Sequence, residues 1–370
     1  MPSMQGPSAS AGEGAPLFSI IMPCYDVAGY IDAAIDDIQA QSVSDWELIC
    51  VDDGSPDDVA VRVAARADAD PRVRLVSHES NQGLSAARNT GLVHARGRYV
   101  WIPDPDDGCD PELLATVLGQ FERPDASGSV DVVVFGCRER YLDGSGAVRD
   151  ERDVLPPFDG AYRGRDLHGC VLDLEESTLY GYAWNKVYRR EVLDGLVYES
   201  TPLIEDILFN IAVFDRARCV AVVARPLYRY AKRLGANLTN RFVPEYYEVH
   251  RRRIAELYAQ QRRWSIADEA VRSRLGSLYA RYIMSALERN CDPRARMRHA
   301  DRVAWCRRLL ADPLYQDLLP VARSRGGRAL SLCIPLVRSG SVLVLTALGR
   351  LIHIVRNGFG GGYARLKMQR

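Results

Sequence analysis

The chain has 370 residues, of which 47% are hydrophobic, so it is long enough for two domains or for one large domain with an appendage. The 48 Lys and Arg balance the 48 Asp and Glu, but residues 291–370 contain 15 basic and 4 acidic residues. This basic end indicates contact with something anionic, such as a membrane surface or nucleic acid. Nine scattered cysteines without a CxxC pair argue against a disulfide or zinc framework.

Residues 1–16 have no apolar segment, so we expect a disordered leader and no signal peptide. Short apolar runs then alternate with helical patterns, which predicts an α/β fold with a mostly parallel sheet flanked by helices. The predicted strands are Phe18–Met22, Glu47–Val51, Val73–Ser77, Tyr99–Ile102 and Val130–Phe135. The predicted helices are Ile31–Ile38, Asp57–Ala69, Ser85–Ala95 and one that begins after Pro111.

The alternation weakens after Gly136. Further predicted elements are a hairpin and loop over 138–165, helices over 165–175 and 206–216, a strand over Val220–Ala224, and helices over 244–319. We therefore expect one domain at residues 17–240 and a helical C-terminal region at 241–325.

Residues 326–370 are predicted to form a basic amphipathic tail. Two arginines interrupt its apolar stretch, so no uncharged window reaches the roughly 20 residues that span a bilayer. The residues Arg338, Thr346, Arg350, His353 and Arg356 share a helical sector of ~120°. The pattern fits an interfacial amphipathic helix with a basic face at an anionic membrane surface, and it also fits a packed C-terminal helix or an oligomer contact. Pro335 and Gly340 argue against one continuous helix.

Asp104, Asp106 and Asp107 directly follow the strand Tyr99–Ile102. Three carboxylates within four positions repel one another, so they indicate either a solvated turn or a bound cation. Mg²⁺ or Mn²⁺ fits such a site, because these ions take oxygen ligands and keep positions open for phosphate oxygens.

Polar residues follow the other predicted strands as well. They include Pro23, Tyr25 and Asp26 after the first strand, and Asp52 and Asp53 after the second. The carboxyl ends of parallel strands meet at one edge, which predicts a single ligand crevice. Arg88 lies one turn into a glycine-flanked helix, where it can bind an anion or neutralise Asp104 or Asp53.

Glu205 and Asp206 lie inside an apolar run. Partial burial would raise one pKa of this pair and suit a general base, whereas a helix cap is the ordinary alternative. The segment Trp184–Arg190 combines aromatic, amide and cationic groups, as a sugar or phosphate platform does, and Tyr228–Arg233 forms a short cationic-aromatic segment.

In this order, the motifs resemble the family 2 glycosyltransferases with a GT-A fold, over residues 18 to about 240. The matching segments are Ser19–Tyr25, Trp46–Ser55, Asn81–Gly91, Gly97–Asp107, Trp184–Tyr188 and Glu205–Asp206. The resemblance implies an inverting, Mn²⁺- or Mg²⁺-dependent transfer of a sugar from a nucleotide-sugar donor, usually UDP-linked. The implied acceptor is a glycan or a lipid-linked glycan of the cell envelope, and no nucleic-acid partner is expected.

The resemblance also implies residue roles. The donor would contact Pro23, Tyr25, Asp26, Asp52, Asp53, Arg88, Asp104 and either Lys232 or Arg233. The metal would be held by Asp106 and Asp104. Asp206 would be the catalytic base with Glu205 beside it, and Trp184, Asn185, Lys186 and Asp107 would line the acceptor side. The chain departs from the family pattern at Asp26, Pro105 and Ala231, where Asn, Ser and Arg are usual.

Two other interpretations remain open at this point. One is a non-catalytic nucleotide- or glycan-binding relative that acts as an assembly partner. The other is a sugar-1-phosphate nucleotidyltransferase, which is disfavoured because the first loop, Pro23–Gly29, carries no cation. For the enzyme we expect a cytoplasmic location at the inner face of the cell membrane, with oligomer contacts through the helical region.

Overall fold

The computed structural model describes residues 14–123, 128–201, 203–233, 243–324 and 328–358. The chain divides into two compact units, Met1–Asn240 and Arg241–Arg370. Most of the predicted leader and the last part of the predicted tail lie outside the described residues. All nine cysteines are free thiols, and most are buried.

The first unit has the predicted α/β fold. Its strands are β1 (Phe18–Cys24), β2 (Trp46–Asp52), β3 (Val73–Ser77), β4 (Tyr99–Trp101), β5 (Gly108–Cys109), β6 (Val132–Leu142), β7 (Val148–Val154), β8 (Gly160–Arg163), β9 (Lys186–Arg189) and β10 (Cys219–Arg233). Its helices are α1 (Ile31–Gln39), α2 (Val59–Ala69), α3 (Leu84–His94), α4 (Leu113–Phe121), α5 (Gly164–Glu176) and α6 (Glu205–Arg216). The strands form one sheet in the order β3-β2-β1-β4-β9-β6-β10-β5, with β7 paired to β6 and β8 to β10.

The parallel half of the sheet follows the sequence prediction closely. Every residue of β1 and β2 is buried, because both strands are covered on their two faces. Helix α3 packs tightly on β1, since a Cβ added at Gly91 would lie 2.1 Å from Cγ2 of Ile21. Only glycine permits this short distance between α3 and β1, and the resulting position of α3 also sets the position of Arg88.

The other half of the sheet differs from the prediction. Strand β9 was not predicted, yet it joins the halves by antiparallel pairing with β4 and with β6. Strands β6 and β10 run parallel to each other but are longer than predicted. Strands β6 and β7 form the hairpin that was predicted within residues 138–165. Strands β5 and β8 are antiparallel additions. The sheet is therefore mixed beyond β4.

The second unit is helical, as predicted. Its helices are α7 (Tyr246–Arg263), α8 (Glu269–Arg289), α9 (His299–Ala311), α10 (Pro313–Leu318), α11 (Arg328–Val337) and α12 (Val342–Gly358). Leu275, Tyr279 and Ile283 are buried on one face of α8. Asp312 caps α10, and its carboxylate pairs with Arg251 at 2.5 Å.

The apolar tail stretch forms two helices rather than one, with a break between Val337 and Val342. Gly340 lies in this break with φ of +65°, a conformation that glycine adopts at little cost. Among the helices that the structure describes, none is long and apolar enough to cross a membrane.

Candidate active site

The loops that follow β1, β2 and β4 lie at one edge of the sheet, because these three strands are parallel. Pro23 is buried in the end of β1, whereas Tyr25 and Asp26 beyond it are exposed. Asp26 has φ of +55°, and its backbone N–H donates to Oγ of Ser55 at 3.3 Å. Asn and Asp are the residues that tolerate this left-handed conformation best, which explains why Asp replaces the usual Asn here.

Asp53 holds the loop between β3 and α3. Its Oδ1 accepts from the Gln82 N–H at 2.9 Å, its Oδ2 accepts from the Gly83 N–H at 2.7 Å, and His78 Nδ1 lies 2.7 Å from Oδ1. The other ring nitrogen of His78 lies 2.8 Å from Thr90 Oγ1. Asp53 is 2% exposed, so its carboxylate shapes the start of α3 from within the protein.

Asp52 makes fewer contacts than its neighbour. Its Oδ1 accepts from the Ser55 N–H at 3.0 Å, which closes the turn after β2. Gly54 has φ of +65°, and a Cβ there would lie 2.6 Å from the Ser80 carbonyl carbon. The two loops thus touch through their backbones.

Arg88 gathers carboxylates from distant parts of the chain. Its guanidinium donates through Nη1 to Oδ1 of Asp206. The same Nη1 lies 3.7 Å from Oε1 of Glu205, and Nη2 lies 3.6 Å from Oδ1 of Asp104. Arg88 is 2% exposed and packs against the Tyr198 ring at 5.2 Å. Of the two carboxylates predicted as its alternative partners, the structure brings Asp104 to Arg88 and leaves Asp53 bonded to the other loop.

One guanidinium cannot fully offset three carboxylates in a partly dry site. Burial and the charge of Asp206 together raise the pKa of Glu205 to about 7 against the opposing charge of Arg88. Burial likewise raises the pKa of Asp104 to about 7 against the opposing charge of Arg88. Oε2 of Glu205 is buried without a hydrogen-bond partner among the described residues. The cluster therefore favours an added proton or cation.

Asp206 is the second residue of α6, so its carboxylate lies at the positive end of the helix dipole. Besides the bond from Arg88, its Oδ2 accepts from the Ala183 N–H at 3.3 Å. The side chain keeps 20% of its surface exposed. It is thus oriented by two donors and accessible from solvent, as a general base requires.

The loop that carries Ala183 is pinned by two residues. Nζ of Lys186 donates to the carbonyls of Leu179 and Tyr182 and to Oδ1 of Asn185, at 2.8, 2.6 and 2.8 Å. Nδ2 of Asn210 donates to the carbonyls of Tyr180, Gly181 and Tyr182 at 3.2, 3.3 and 3.1 Å. Asn210 was not among the residues predicted from the sequence. The available signal was an amide inside the apolar run of α6, one helical turn after Asp206.

Asn185 and Lys186 are fully buried and Trp184 is 2% exposed, so the structure gives none of them an open surface for an acceptor. Burial lowers the pKa of Lys186 to about 7, while the nearby charge of Asp206 opposes this. Trp184 stacks on Tyr228 at 4.5 Å. These contacts fit a role in shaping the loop beside Asp206 better than the predicted contact with the acceptor.

Asp106 is paired with a cation. Arg233 Nη1 donates to Oδ2 of Asp106 at 2.5 Å, and Nη2 donates to the Asp106 carbonyl at 2.7 Å. The guanidinium also lies 4.3 Å from the Tyr30 ring centroid. Asp106 remains 38% exposed, so its carboxylate faces the open edge of the sheet.

Asp107 turns inward. Its Oδ1 accepts from the Ala231 N–H at 2.7 Å, and burial raises the pKa of this carboxyl well above its usual value. Tyr228 lies beside it and accepts from the Asp104 N–H at 3.1 Å. Ala231, the departure from the usual Arg, thus contributes its backbone here. The inward position fits bracing of the Asp104–Asp107 loop rather than the predicted contact with an acceptor.

Lys232 is not brought to the Arg88 cluster. Its Nζ lies 2.5 Å from Oε1 of Glu139 on β6, and Tyr141 donates to the other oxygen of that carboxylate at 2.8 Å. Of the two cations that the sequence suggested for the diphosphate, Arg233 is therefore the one beside the Asp104–Asp107 loop.

Within the described ranges, no three His, Cys, Asp or Glu side chains converge closely enough to hold a metal by themselves. Mg²⁺ in phosphate-binding sites commonly takes only one or two carboxylates and completes its shell with phosphate oxygens and water. The two predicted ligands, Asp106 and Asp104, each lie beside an arginine, Arg233 and Arg88 respectively.

Comparison with known proteins gives a consistent assignment. Residues 19–196 match the model of the family described as glycosyl transferase family 2. The uncharacterized glycosyltransferase EpsJ of Bacillus subtilis is 34% identical over 221 residues, 58% of this chain and 61% of that protein. The cholesterol galactosyltransferase of Borreliella burgdorferi is 30% identical over 226 residues, 59% of this chain and 61% of that protein. The match thus spans about three fifths of each relative.

Among solved structures, the chain is similar to residues 1–349 of TarS from S. aureus, crystallised in complex with UDP-GlcNAc. The TM-score is 0.61 at 19% identity, and the similarity covers 92% of both chains. At this level of identity, the similarity shows a shared fold.

Proposed function

We propose that the chain transfers a sugar, with inversion, from a nucleotide-sugar donor to an acceptor hydroxyl, since residues 19–196 match the model of glycosyl transferase family 2. One observation carries the proposal. Asp104 and the adjacent pair Glu205 and Asp206 come from two distant segments of the chain, and they meet around the buried guanidinium of Arg88 at the edge of the sheet.

Asp206 is the proposed general base. Arg88 and the Ala183 N–H hold its carboxylate in place, and its exposed part can reach a bound hydroxyl. Removing the hydroxyl proton as the oxygen attacks makes the acceptor a stronger nucleophile. Glu205 takes up a proton near neutral pH, which limits the negative charge beside the base.

The donor diphosphate is proposed to lie at the Asp104–Asp107 loop. Asp106 and Asp104 would hold a divalent cation there, and when bound this ion offsets the charge that develops on the departing diphosphate. Arg233, which pairs with Asp106, would exchange that carboxylate for a phosphate of the donor. Tyr25, Asp26 and Asp52 at the same edge would face the nucleoside.

We propose UDP-sugars as donors, because UDP-GlcNAc is the ligand in the TarS structure whose fold the chain shares. The proposed acceptor is a lipid-linked or polymeric glycan of the cell envelope. The galactosyltransferase relative supports a lipid acceptor, since its name gives the sterol cholesterol as the molecule that it modifies.

The proposal is tested by a thermal-shift screen of nucleotide-sugars with Mn²⁺, followed by a hydrolysis and transfer assay with the donors that bind. We expect UDP-sugars to raise the unfolding midpoint and to be turned over, with both effects lost in EDTA. Asp106→Asn should weaken the Mn²⁺-dependent shift, whereas Asp110→Asn, at a carboxylate that accepts from the Glu112 N–H before α4, should leave it unchanged.

Full activity in EDTA would contradict the metal role of Asp106. Binding of UDP without turnover of any donor would favour the non-catalytic relative. Release of pyrophosphate from UTP and a sugar 1-phosphate would favour the nucleotidyltransferase.

A further inference from the structure

Helix α12 exposes large apolar side chains along one side. Leu343 is 77% exposed, Leu351 56%, Ile354 66% and Val355 44%. At 100° per residue these four side chains lie within a sector of ~120°, which also contains the exposed Ala347. We call the four large residues the leucine face of α12.

The polar side of the same helix faces the protein. His353 Nδ1 lies 3.2 Å from Oε1 of the buried Glu288 on α8, and Arg356 Nη1 donates to Oε2 of Glu288 at 2.6 Å. Thr346 is buried, and its hydroxyl bonds to the carbonyl of Val342 at 2.9 Å. A surface helix ordinarily has the opposite arrangement, with its polar side outward.

This orientation is fixed by close packing. A Cβ added at Gly349 would lie 2.7 Å from the carbonyl oxygen of Leu287, so the glycine side of α12 is pressed against α8. Leu345 and Leu348 are buried on that side. The leucine face cannot rotate inward without breaking the Glu288 pairs.

Helix α11 repeats the pattern. Leu332 is 74% exposed and Leu336, one turn later, is 40% exposed, with the exposed Pro335 beside them. Ile334 and Val337 are buried on the other side. Two successive helices thus leave apolar surface uncovered.

The charge of this segment has one sign. Residues 321–370 contain nine Arg and Lys and no Asp or Glu. Arg350 is exposed and lies one helical turn before Ile354 of the leucine face, and Arg338 is exposed just after α11. Leucines bordered by arginines are the combination that binds the interface of an anionic membrane, with apolar groups among the acyl chains and cations at the phosphates.

We propose that the leucine face of α12 docks on the surface of an anionic lipid bilayer. The occupant follows from charge complementarity. A second copy of the chain would bring two arginine borders together, which costs energy, whereas lipid phosphates neutralise them. The structure adds that His353 and Arg356, on the polar side of α12, pair with Glu288 and not with solvent.

This proposal goes beyond the proposed sugar transfer and does not depend on it, since binding is measured without any donor. The full-length chain is sedimented with vesicles of phosphatidylcholine alone or mixed with phosphatidylglycerol. We expect binding to the mixed vesicles that weakens as salt is raised, and at least about tenfold weaker binding for the pair Leu351→Asp and Ile354→Asp.

Matched controls are Val61→Asp on α2 and Val93→Asp on α3, which change valines that are 71% and 84% exposed in the first unit. Both should bind vesicles as the unchanged chain does. Unfolding midpoints verify that each variant is folded. If the double variant Leu351→Asp and Ile354→Asp has a lower midpoint, the double variant Leu351→Ser and Ile354→Ser replaces it in the binding assay. Arg338→Gln with Arg350→Gln should weaken binding and flatten its salt dependence.

Equal sedimentation with both vesicle types, or unchanged binding by the folded leucine-face variants, would overturn the proposal. So would a concentration-dependent dimer in light scattering that the leucine-face variants abolish while vesicles bind no protein. That last result would assign the face to a second copy of the chain.

Discussion

Two groups of carboxylates lie at the same edge of the sheet and are satisfied in different ways. Asp53, in the loop after β2, accepts from two backbone N–H groups and contacts His78. Around Arg88, by contrast, three carboxylates share one guanidinium, and Oε2 of Glu205 has no partner among the described residues. Saturated carboxylates hold a loop in place, whereas under-compensated ones are available for protons, cations and substrates.

The difference between Asp53 and the carboxylates around Arg88 predicts the largest effect for Arg88→Met, which removes the buried cation from Asp104, Glu205 and Asp206. We expect the free energy of unfolding to fall by about 3–5 kcal/mol, because uncompensated buried charges are costly. Arg62→Met removes an arginine from exposed pairs with Asp32 and Asp58 and should cost less than about 1 kcal/mol. Urea unfolding measures the free energy of unfolding of both variants. Equal losses of this free energy would show that the carboxylates do not depend on the charge of Arg88.

Asp53→Asn tests the loop group. An amide cannot accept all the bonds that the carboxylate accepts, so we expect a loss of about 1–3 kcal/mol in the free energy of unfolding. The folded fraction should keep most of its turnover, because Asp53 braces the loop from inside. Asp58→Asn, at an exposed carboxylate before α2, is the control. A stable variant without activity would place Asp53 in the chemistry instead.

Glu205→Gln tests the cluster through pH. The pKa of Glu205 is raised to about 7 in the folded protein, so its favourable contribution is present at acidic pH and is lost as pH rises through 7. Gln cannot ionise, and the variant should therefore gain stability relative to the unchanged chain between pH 5 and pH 8, on the order of 2 kcal/mol. Urea unfolding at both pH values measures the gain.

The exposed Glu79→Gln serves as a control for that experiment and should show the same stability difference from the unchanged chain at both pH values. If Glu205→Gln also showed no change with pH, Glu205 would be compensated as fully as Asp53.

Asp52→Asn should have the smallest effect. Asp52 accepts one backbone bond, from Ser55, and Asn can accept the same bond through its amide oxygen. We expect a loss below about 1 kcal/mol in the free energy of unfolding. If Asp52 faces the nucleoside as proposed, calorimetry should show weaker donor binding. Unchanged donor affinity would make Asp52 a turn residue only.

The parallel half of the fold could be predicted from the sequence, because β1 to β4 are apolar runs that each end in a turn. Strand β9 could not. It contains the fully buried Lys186, and its sequence indicated a polar binding segment. The segment is a strand because it pairs with β4 and β6. The tail was predicted as amphipathic, but its orientation depends on Glu288, 65 residues before His353.

The sequence indicated which residues belong to the candidate site, but it did not indicate which of them contact one another. Because the predicted strands end beside Asp104 and before the helix of Arg88, the sequence predicted that both residues lie at one edge of the sheet. The bond between Arg88 and Asp206 joins residues 118 apart in sequence, and the pairing of Lys232 with Glu139 joins residues 93 apart. Such partners follow from the packing of α6 and β10 on the sheet, which no local spacing encodes.

If the carboxylates around Arg88 carry out sugar transfer, Asp206→Asn should abolish most of it while leaving the donor bound. Sugar transfer is measured at saturating donor and Mn²⁺, with donor affinity measured by calorimetry on the same sample. We predict a fall in the transfer rate of about 10²–10⁴-fold with donor affinity unchanged, because only proton removal from the acceptor is lost. A transfer rate within about threefold of the unchanged chain would contradict the account, because a general base contributes far more than that.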